Sequence, residues 1–351
     1  MQEYDIEEFR LLSLPSQSDI ISNWEDKESL PTVSIVCIAY NQEKYIEDAI
    51  RGFLIQRTTF PFEIIIHDDA STDSTAEIIL KYKRKYPDLI RVIIQTENQY
   101  SKSPNSILVI PADLARGEYI ALCEGDDFWI DSEKLEKQIK ALKEKREIKI
   151  CFSAGLSMFT TGEQIKSYIY AKNLKIFSPE EVIRGGGGFM PTCSLITHKS
   201  VFESLPDWFC DKAPVGDVFL QILGSIDKGA LYLPDITCVY RVASEGSWTV
   251  TDQKRSEESV MEKQLKSIFC YESINSSTKY KYHTSFQHVI ALNYCSFAFK
   301  FLIDANYSVA KKYISLSWEA KKNIRIKQFV LKHFFFFLPL FRQYFLIRKK
   351  Y

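Results

Sequence analysis

Apolar positions in the N-terminal part of the chain come in short unbroken runs, and the polar stretches between them carry apolar residues at intervals of three and four. Unbroken runs bounded by turn residues predict strands covered on both faces, and the three-and-four spacing predicts amphipathic helices. Pro31 opens the first run, Val33–Ala39, which ends at Tyr40-Asn41. Tyr45, Ala49 and Phe53, with Ile50 and Leu54, mark a helix behind it. Phe62–Ile66 is a second run, closed by His67-Asp68-Asp69-Ala70-Ser71-Thr72-Asp73. Ser74 can cap the helix carrying Ile78, Ile79 and Tyr82, which stops before Pro87. Ile90–Ile94 is a third strand, and Tyr119–Cys123 another that runs into the acidic turn Glu124-Gly125-Asp126-Asp127. Asp131 or Ser132 can cap the next helix, whose Leu135, Ile139 and Leu142 share a face. This alternation predicts an α/β fold with a mainly parallel central sheet and helices on both faces.

Further on the pattern loosens. Cys151–Leu205 is less regular and contains the four-glycine run Gly185–Gly188, read either as a loop that closes on a substrate or as a permissive turn. Met190–Thr197 reads as a strand leading to a helix start at His198-Lys199-Ser200. Asp217 precedes the apolar run Val218–Leu223 and can serve as its helix cap. Leu231–Pro234 and Thr237–Arg241 read as the last strands before helical patterns take over at about Thr251. The expected organisation is an arm over 1–30, a sheet domain over 31–250 and a helical C-terminal extension over 251–351.

Composition adds boundaries. With 46% hydrophobic and 26% charged residues over 351 positions, the chain reads as an ordinary folded protein of about two domains. The net charge of +0 gives no case for nucleic acid as a partner. The 8 Cys are scattered without a CxxC or Cys/His ligand spacing, and the acidic N-terminus lacks the basic and apolar regions of a signal peptide. A cytoplasmic location is expected. No run of about 20 uncharged apolar residues appears, so a membrane-spanning helix is not expected.

The chemistry lies in the two Asp pairs. Carboxylates at the carboxyl ends of central strands sit where open α/β sheets bind ligands. Adjacent acids repel unless a cation or hydrogen-bond donors offset them, and Mg²⁺ or Mn²⁺ held by one or two carboxylates plus substrate phosphates meets that need. A nucleoside diphosphate wants acceptors and an aromatic face at its base and ribose, for which Tyr40, Asp68 and Asp69 are suited. It wants a cation at its pyrophosphate, for which Asp126 and Asp127 are suited. No GxGxxG or GxxxxGKS loop follows the first strand, which counts against NAD(P) and P-loop enzymes.

The stretches SIVCIAYNQEKYI, EIIIHDDASTDST and GEYIALCEGDDFW resemble the N-terminal half of family 2 glycosyltransferases with the GT-A (Rossmann-like) fold. The resemblance runs from about Val33 to Lys134 and, more weakly, to Arg241. It implies an inverting transfer from a nucleotide-diphosphate sugar, with UDP preferred and dTDP or GDP open, assisted by a divalent metal. It implies donor-nucleotide contacts from Ala39, Tyr40, Asn41, Asp68, Asp69 and Asp126, a metal ligand at Asp127 and a catalytic base at Asp217. Arg241, Trp248 and Gly188 are expected near pyrophosphate or acceptor. The family motif at Tyr240-Arg241 often continues with a His where this chain has Ala243.

Two other classes stay open: a nucleotidyltransferase, and a non-catalytic nucleotide-sugar-binding subunit. From Lys311 onward the chain is basic, with Glu319 its single acid, and Phe329–Phe341 is rich in Phe. Residues 329–351 are therefore expected to lie on an anionic membrane surface or to dock on protein, with the chain peripheral on the inner face of the cell membrane. A glycan or lipid-linked acceptor follows from that reading.

Overall fold

In a computed structural model that describes residues 4–245, 257–337, 339–340 and 342–343, the four predicted N-terminal runs are strands. They are Val33–Ala39 (β1), Phe62–Asp68 (β2), Ile90–Ile94 (β3) and Tyr119–Glu124 (β4). They pair in parallel in the order β3-β2-β1-β4. The runs of β1, β2 and β4 are unbroken because helices cover both faces: Ile35, Cys37, Ile64, Ile66, Ile120 and Ala121 are all fully buried, whereas the edge strand β3 is partly exposed. Each such aliphatic side chain stabilises the fold by about 1.5–3 kcal/mol relative to exposure.

The sheet continues through Phe128–Trp129 (β5), Ile150–Phe159 (β6), Gln164–Ser167 (β7), Lys175–Phe177 (β8), Ile196–His198 (β9) and Ala230–Val242 (β10). The path runs β3-β2-β1-β4-β9-β6-β10-β5, with β7 beside β6 and β8 beside β10. The long pairings are parallel, including β6 with β10. The antiparallel ones, with β9 wedged between β4 and β6, are short. The two strands expected around Pro234 are one strand, β10, whose register shifts against β6 between Leu233 and Cys238. Proline has no N–H for a ladder, and the irregularity falls beside it. Met190–Thr197, expected as a strand, is a 3₁₀ turn at Thr192–Ser194 followed by the start of β9.

The N-terminal segment expected as an arm forms two short helices, Ile6–Leu11 and Gln17–Ser22, capped by the side chains of Asp5 and Ser16. Each anchors itself by one buried residue, Phe9 and Ile20. The helix Ile46–Leu54 lies so close to β5 that a Cβ at Gly52 would stand 2.7 Å from the Trp129 nitrogen, so only glycine fits there. That approach seats Phe53 edge-on to Trp129, with ring centroids 4.9 Å apart.

Residues divide into two compact units, Met1–Arg255 and Ser256–Tyr351. The second is built from the helices Glu257–Ser277, His283–Ile303, Tyr307–Ala320 and Ile326–His333. Phe297 and Phe301 stack on Tyr313, and Ser317 donates to the Ala291 carbonyl at 2.7 Å. His283–Ile303 is, among the described residues, the one helix long and apolar enough to cross a membrane, contrary to the expectation that none exists. Its buried Phe286, Ile290, Ala291, Phe297 and Leu302 are those of a core helix. The Phe-rich segment is not one helix: Ile326–His333 ends before a 3₁₀ turn at Phe335–Phe337, and Phe336 is 79% exposed.

Candidate functional site

Strand register assembles the site. Ala39 at the end of β1 stands opposite Asp68 of β2, and Ile38 opposite Glu124 of β4. All three strands run the same way, so their acidic ends share one rim, the place where parallel sheets present ligand groups. The Asn41 turn holds the β1 and β2 ends together. Asn41 has φ +52°, a left-handed conformation that Asn tolerates. Its amide donates to Ser71 Oγ at 2.9 Å, and its side-chain oxygen accepts from the Thr72 amide at 2.8 Å. Tyr40, next to it, keeps its ring 44% exposed over the rim.

The Asp68-Asp69 pair is split by function. Asp68 Oδ2 accepts from the Ser71 amide at 3.1 Å, while the buried Oδ1 has no protein partner. Burial raises this carboxyl above its usual range. Both Asp69 oxygens are engaged: Oδ1 by the Gln99 amide at 2.6 Å and Oδ2 by the Tyr100 amide at 3.0 Å. Asp69 thus fixes the loop after β3. Behind the pair, His67 is wholly buried, with Nδ1 on the Ile107 carbonyl at 3.0 Å and Nε2 on the Gln95 amide group at 3.0 Å, and burial lowers its pKa.

The second pair is held from several sides. Asp126 Oδ1 accepts from Gln42 Nε2 at 3.1 Å and Oδ2 from Ser244 Oγ at 2.6 Å. Asp127 Oδ1 accepts the Arg241 amide at 2.8 Å, and its buried Oδ2 has no partner. Burial first, then the charges of Asp126 and Glu124, drive the Asp127 carboxyl well above the ordinary range. Glu124 is raised in the same way, by burial first and then by Asp126 and Asp217. Asp217 is near enough for its charge to act on Glu124. It lies in the first turn of the helix Gly216–Ser225, whose cap position is Val215, so the cap role anticipated for it is not the one it has. Its Oδ1 accepts the neighbouring Val218 amide at 2.8 Å, and Oδ2 faces Thr192 Oγ1 at 3.5 Å. Asn105 fixes the preceding turn by donating to the Phe209 and Ala213 carbonyls at 2.9 and 2.7 Å.

Arg241, expected to reach a pyrophosphate or acceptor, is 7% exposed and turned inward. Its guanidinium donates to Asp48 Oδ2 at 2.6 Å and to the Asp126 carbonyl at 2.6 Å, and sits 4.5 Å from the Phe128 ring centre. Gly188 is exposed in open space at the glycine run, and Trp248 lies outside the described residues. Ala243, in the place of the expected His, has φ +57°, and the next residue, Ser244, supplies the hydroxyl that holds Asp126. Glu124, Gln42, Asp48 and Ser244 were not singled out from sequence. Glu124 had a signal, since it stands two residues before Asp126 at the end of the same strand.

Among the described residues no group of three or more His, Cys, Asp or Glu side chains is arranged to hold a metal ion by itself. The donor set fits the other kind of site, in which one or two carboxylates and substrate phosphates share the ion. Asp127 Oδ2, a buried oxygen with no donor, is the atom such an ion would satisfy.

Residues 34–205 match the family described as Glycosyl transferase family 2. An uncharacterized protein of Mycobacterium tuberculosis is 36% identical over 225 residues, 64% of this chain and 63% of the relative, so the match spans somewhat under two thirds of that protein. An Escherichia coli UDP-Glc:alpha-D-GlcNAc-diphosphoundecaprenol beta-1,3-glucosyltransferase is 35% identical over 114 residues, 32% of this chain and 42% of the relative. Staphylococcus aureus TarS 1-349, solved in complex with UDP-GlcNAc, superposes with a TM-score of 0.62 at 14% identity, covering 89% of this chain and 88% of that one. The likeness to TarS establishes the shared GT-A-like fold.

Proposed function

Because residues 34–205 belong to glycosyl transferase family 2, we propose that this chain moves a sugar from a nucleotide diphosphate, UDP foremost, to an acceptor hydroxyl with inversion, in surface polysaccharide or glycan synthesis. The observation that carries the reading is the pair of buried, unpartnered carboxylate oxygens, Asp68 Oδ1 and Asp127 Oδ2, at the carboxyl ends of the two strands that flank β1, whose own end carries the exposed Tyr40. Tyr40 offers a face to the base, and Asp68 Oδ1 an acceptor to a ribose hydroxyl or a base N–H. UDP is favoured because the E. coli relative is named for a UDP-Glc donor.

Asp127, with Asp126 beside it, would hold Mg²⁺ or Mn²⁺. When bound, such an ion offsets the charge that gathers on the departing diphosphate. Asp217 takes the acceptor proton as the hydroxyl attacks the anomeric carbon from the side opposite the diphosphate. Arg241 positions the reacting carboxylates from behind. An acceptor carried on a lipid diphosphate, as in the name of the E. coli relative, agrees with a cytoplasmic chain peripheral to the inner membrane face and with the basic, Phe-rich segment 329–351 as one contact to it.

The test is release of UDP from a panel of UDP-sugars supplied with membrane extracts as acceptor. The reading requires one sugar to be consumed by wild type and not by Asp217→Asn while UDP affinity stays within about twofold. A wild type that binds UDP yet consumes no sugar would leave a binding subunit in its place.

A further inference from the structure

Gln164–Phe177 forms a strap. β7 lies on the edge of β6 away from β10, and β8 on the edge of β10 away from β6, so residues 168–174 cross over the paired strands from one edge to the other. The inner side of the strap is aromatic. Tyr170 packs within 5.0–6.1 Å, centre to centre, of Phe152, Phe177, Phe189 and Tyr232, and its hydroxyl donates to the Phe189 carbonyl at 2.7 Å. Phe189 follows the glycine run, so the strap is fastened beside the candidate site. Tyr168 has a φ of +61°, rare for an aromatic residue.

The outer side has no such partner. Ile165, Ile169, Leu174 and Ile176 are 43–56% exposed within a dozen residues. Lys166 and Lys172 are exposed among them, and no acid occurs between Glu163 and Glu180. Several large apolar side chains left in water along one short segment mark an interaction surface. A second copy of the chain would set these lysines against each other. Aliphatic and aromatic bulk interleaved with cations and free of acids is the chemistry of an anionic lipid interface.

We propose that the outer face of the strap seats the catalytic unit on an anionic bilayer, bringing the acceptor side of the site to lipid-borne substrate. The role rests on the acceptor reading above, whereas the chemistry rests on the strap alone. The test is co-sedimentation of the full chain with vesicles of phosphatidylcholine alone or mixed with phosphatidylglycerol. Wild type should bind the anionic vesicles and release them in salt. Lys166→Ala/Lys172→Ala should weaken binding roughly thirtyfold and Ile169→Ser/Leu174→Ser about tenfold or more, with thermal stability unchanged. Wild type that ignores anionic vesicles overturns the proposal. So do strap variants that bind as wild type does, which would assign the contact to 329–351, and a wild-type dimer that the Ile169→Ser/Leu174→Ser variant dissolves. UDP affinity measured alongside separates this outcome from failure of the donor reading.

Discussion

The backbone N–H of Arg241 donates to Asp127 Oδ1 at 2.8 Å. The guanidinium of the same residue reaches Asp48, on the helix behind β1, and the Asp126 carbonyl. One side chain thus ties the last strand, that helix and the acidic turn together. Asp127 Oδ1 is thereby occupied and Oδ2 left over.

Arg241→Met keeps the amide bond to Asp127 and removes the guanidinium. Breaking a buried ion pair by deleting one partner costs about 3–5 kcal/mol, and Asp48 retains Arg10, which places this case at the low end. Chemical denaturation should show a loss of about 3 kcal/mol. An unchanged midpoint would mean that the pair contributes nothing net.

Asp127→Asn should separate stability from activity. Burial and the neighbouring acids raise the Asp127 carboxyl in the folded state. A raised acid contributes stability that is fully present below its unfolded value, near 3.9, and is lost as pH rises through the folded value. Wild type therefore loses stability as pH rises from acid toward neutral. The Asn variant carries no charge to repel, and its Oδ1 still accepts from Arg241. Its melting temperature should exceed wild type's at pH 7, the gap should close toward pH 4, and turnover should fall to background. A variant that melts lower at pH 7 contradicts the repulsion.

Asp217→Asn removes the proposed base without removing a helix cap, since Val215 occupies the cap position. Turnover should fall about 10²–10⁴-fold with donor affinity retained. Equal losses in affinity and turnover would make Asp217 a binding residue.

Glu63 tests the opposite sign. It is buried, which by itself raises its carboxyl, but hydrogen bonds from Arg116 and Ser34 outweigh burial and hold it below the usual range. A lowered acid contributes stability above its unfolded value, near 4.3, which is lost as pH falls through the folded value. Glu63→Gln should cost about 1–3 kcal/mol at pH 7, discounted because Arg91 and Arg116 are half exposed. The difference should vanish in acid. A deficit that persists there would point to packing instead.

β1, β2 and β4 were legible because helices cover them on both faces and their runs contain little but apolar residues, and the edge strand β3 because four of its five residues are Ile or Val. β6 was not, since Ser153 and Gly155 interrupt its apolar run. Ser153 is buried against Thr237 Oγ1 at 2.7 Å, and a Cβ at Gly155 would stand 3.1 Å from Cys238 Sγ. The Asp pairs showed in the sequence as acids at strand ends. What holds them did not: Arg241 and Asp48 are 193 positions apart, and Ser244 and Asp126 118 apart. Nothing local marks an Arg as an internal clamp. Glu124, two residues before Asp126, could have been read from the sequence, and register, which places it against Ile38, puts it on the same rim.

The central claim is that the acidic rim binds a nucleoside diphosphate together with a divalent cation. Calorimetric titration of UDP, GDP and dTDP, with Mn²⁺ and with EDTA, on wild type and Asp127→Ala, tests it most directly. The expected result is binding of one nucleotide, UDP foremost, that needs the cation and disappears in the variant. If no nucleotide binds with the cation present, or if Asp127→Ala binds as wild type does, the account of the site is contradicted.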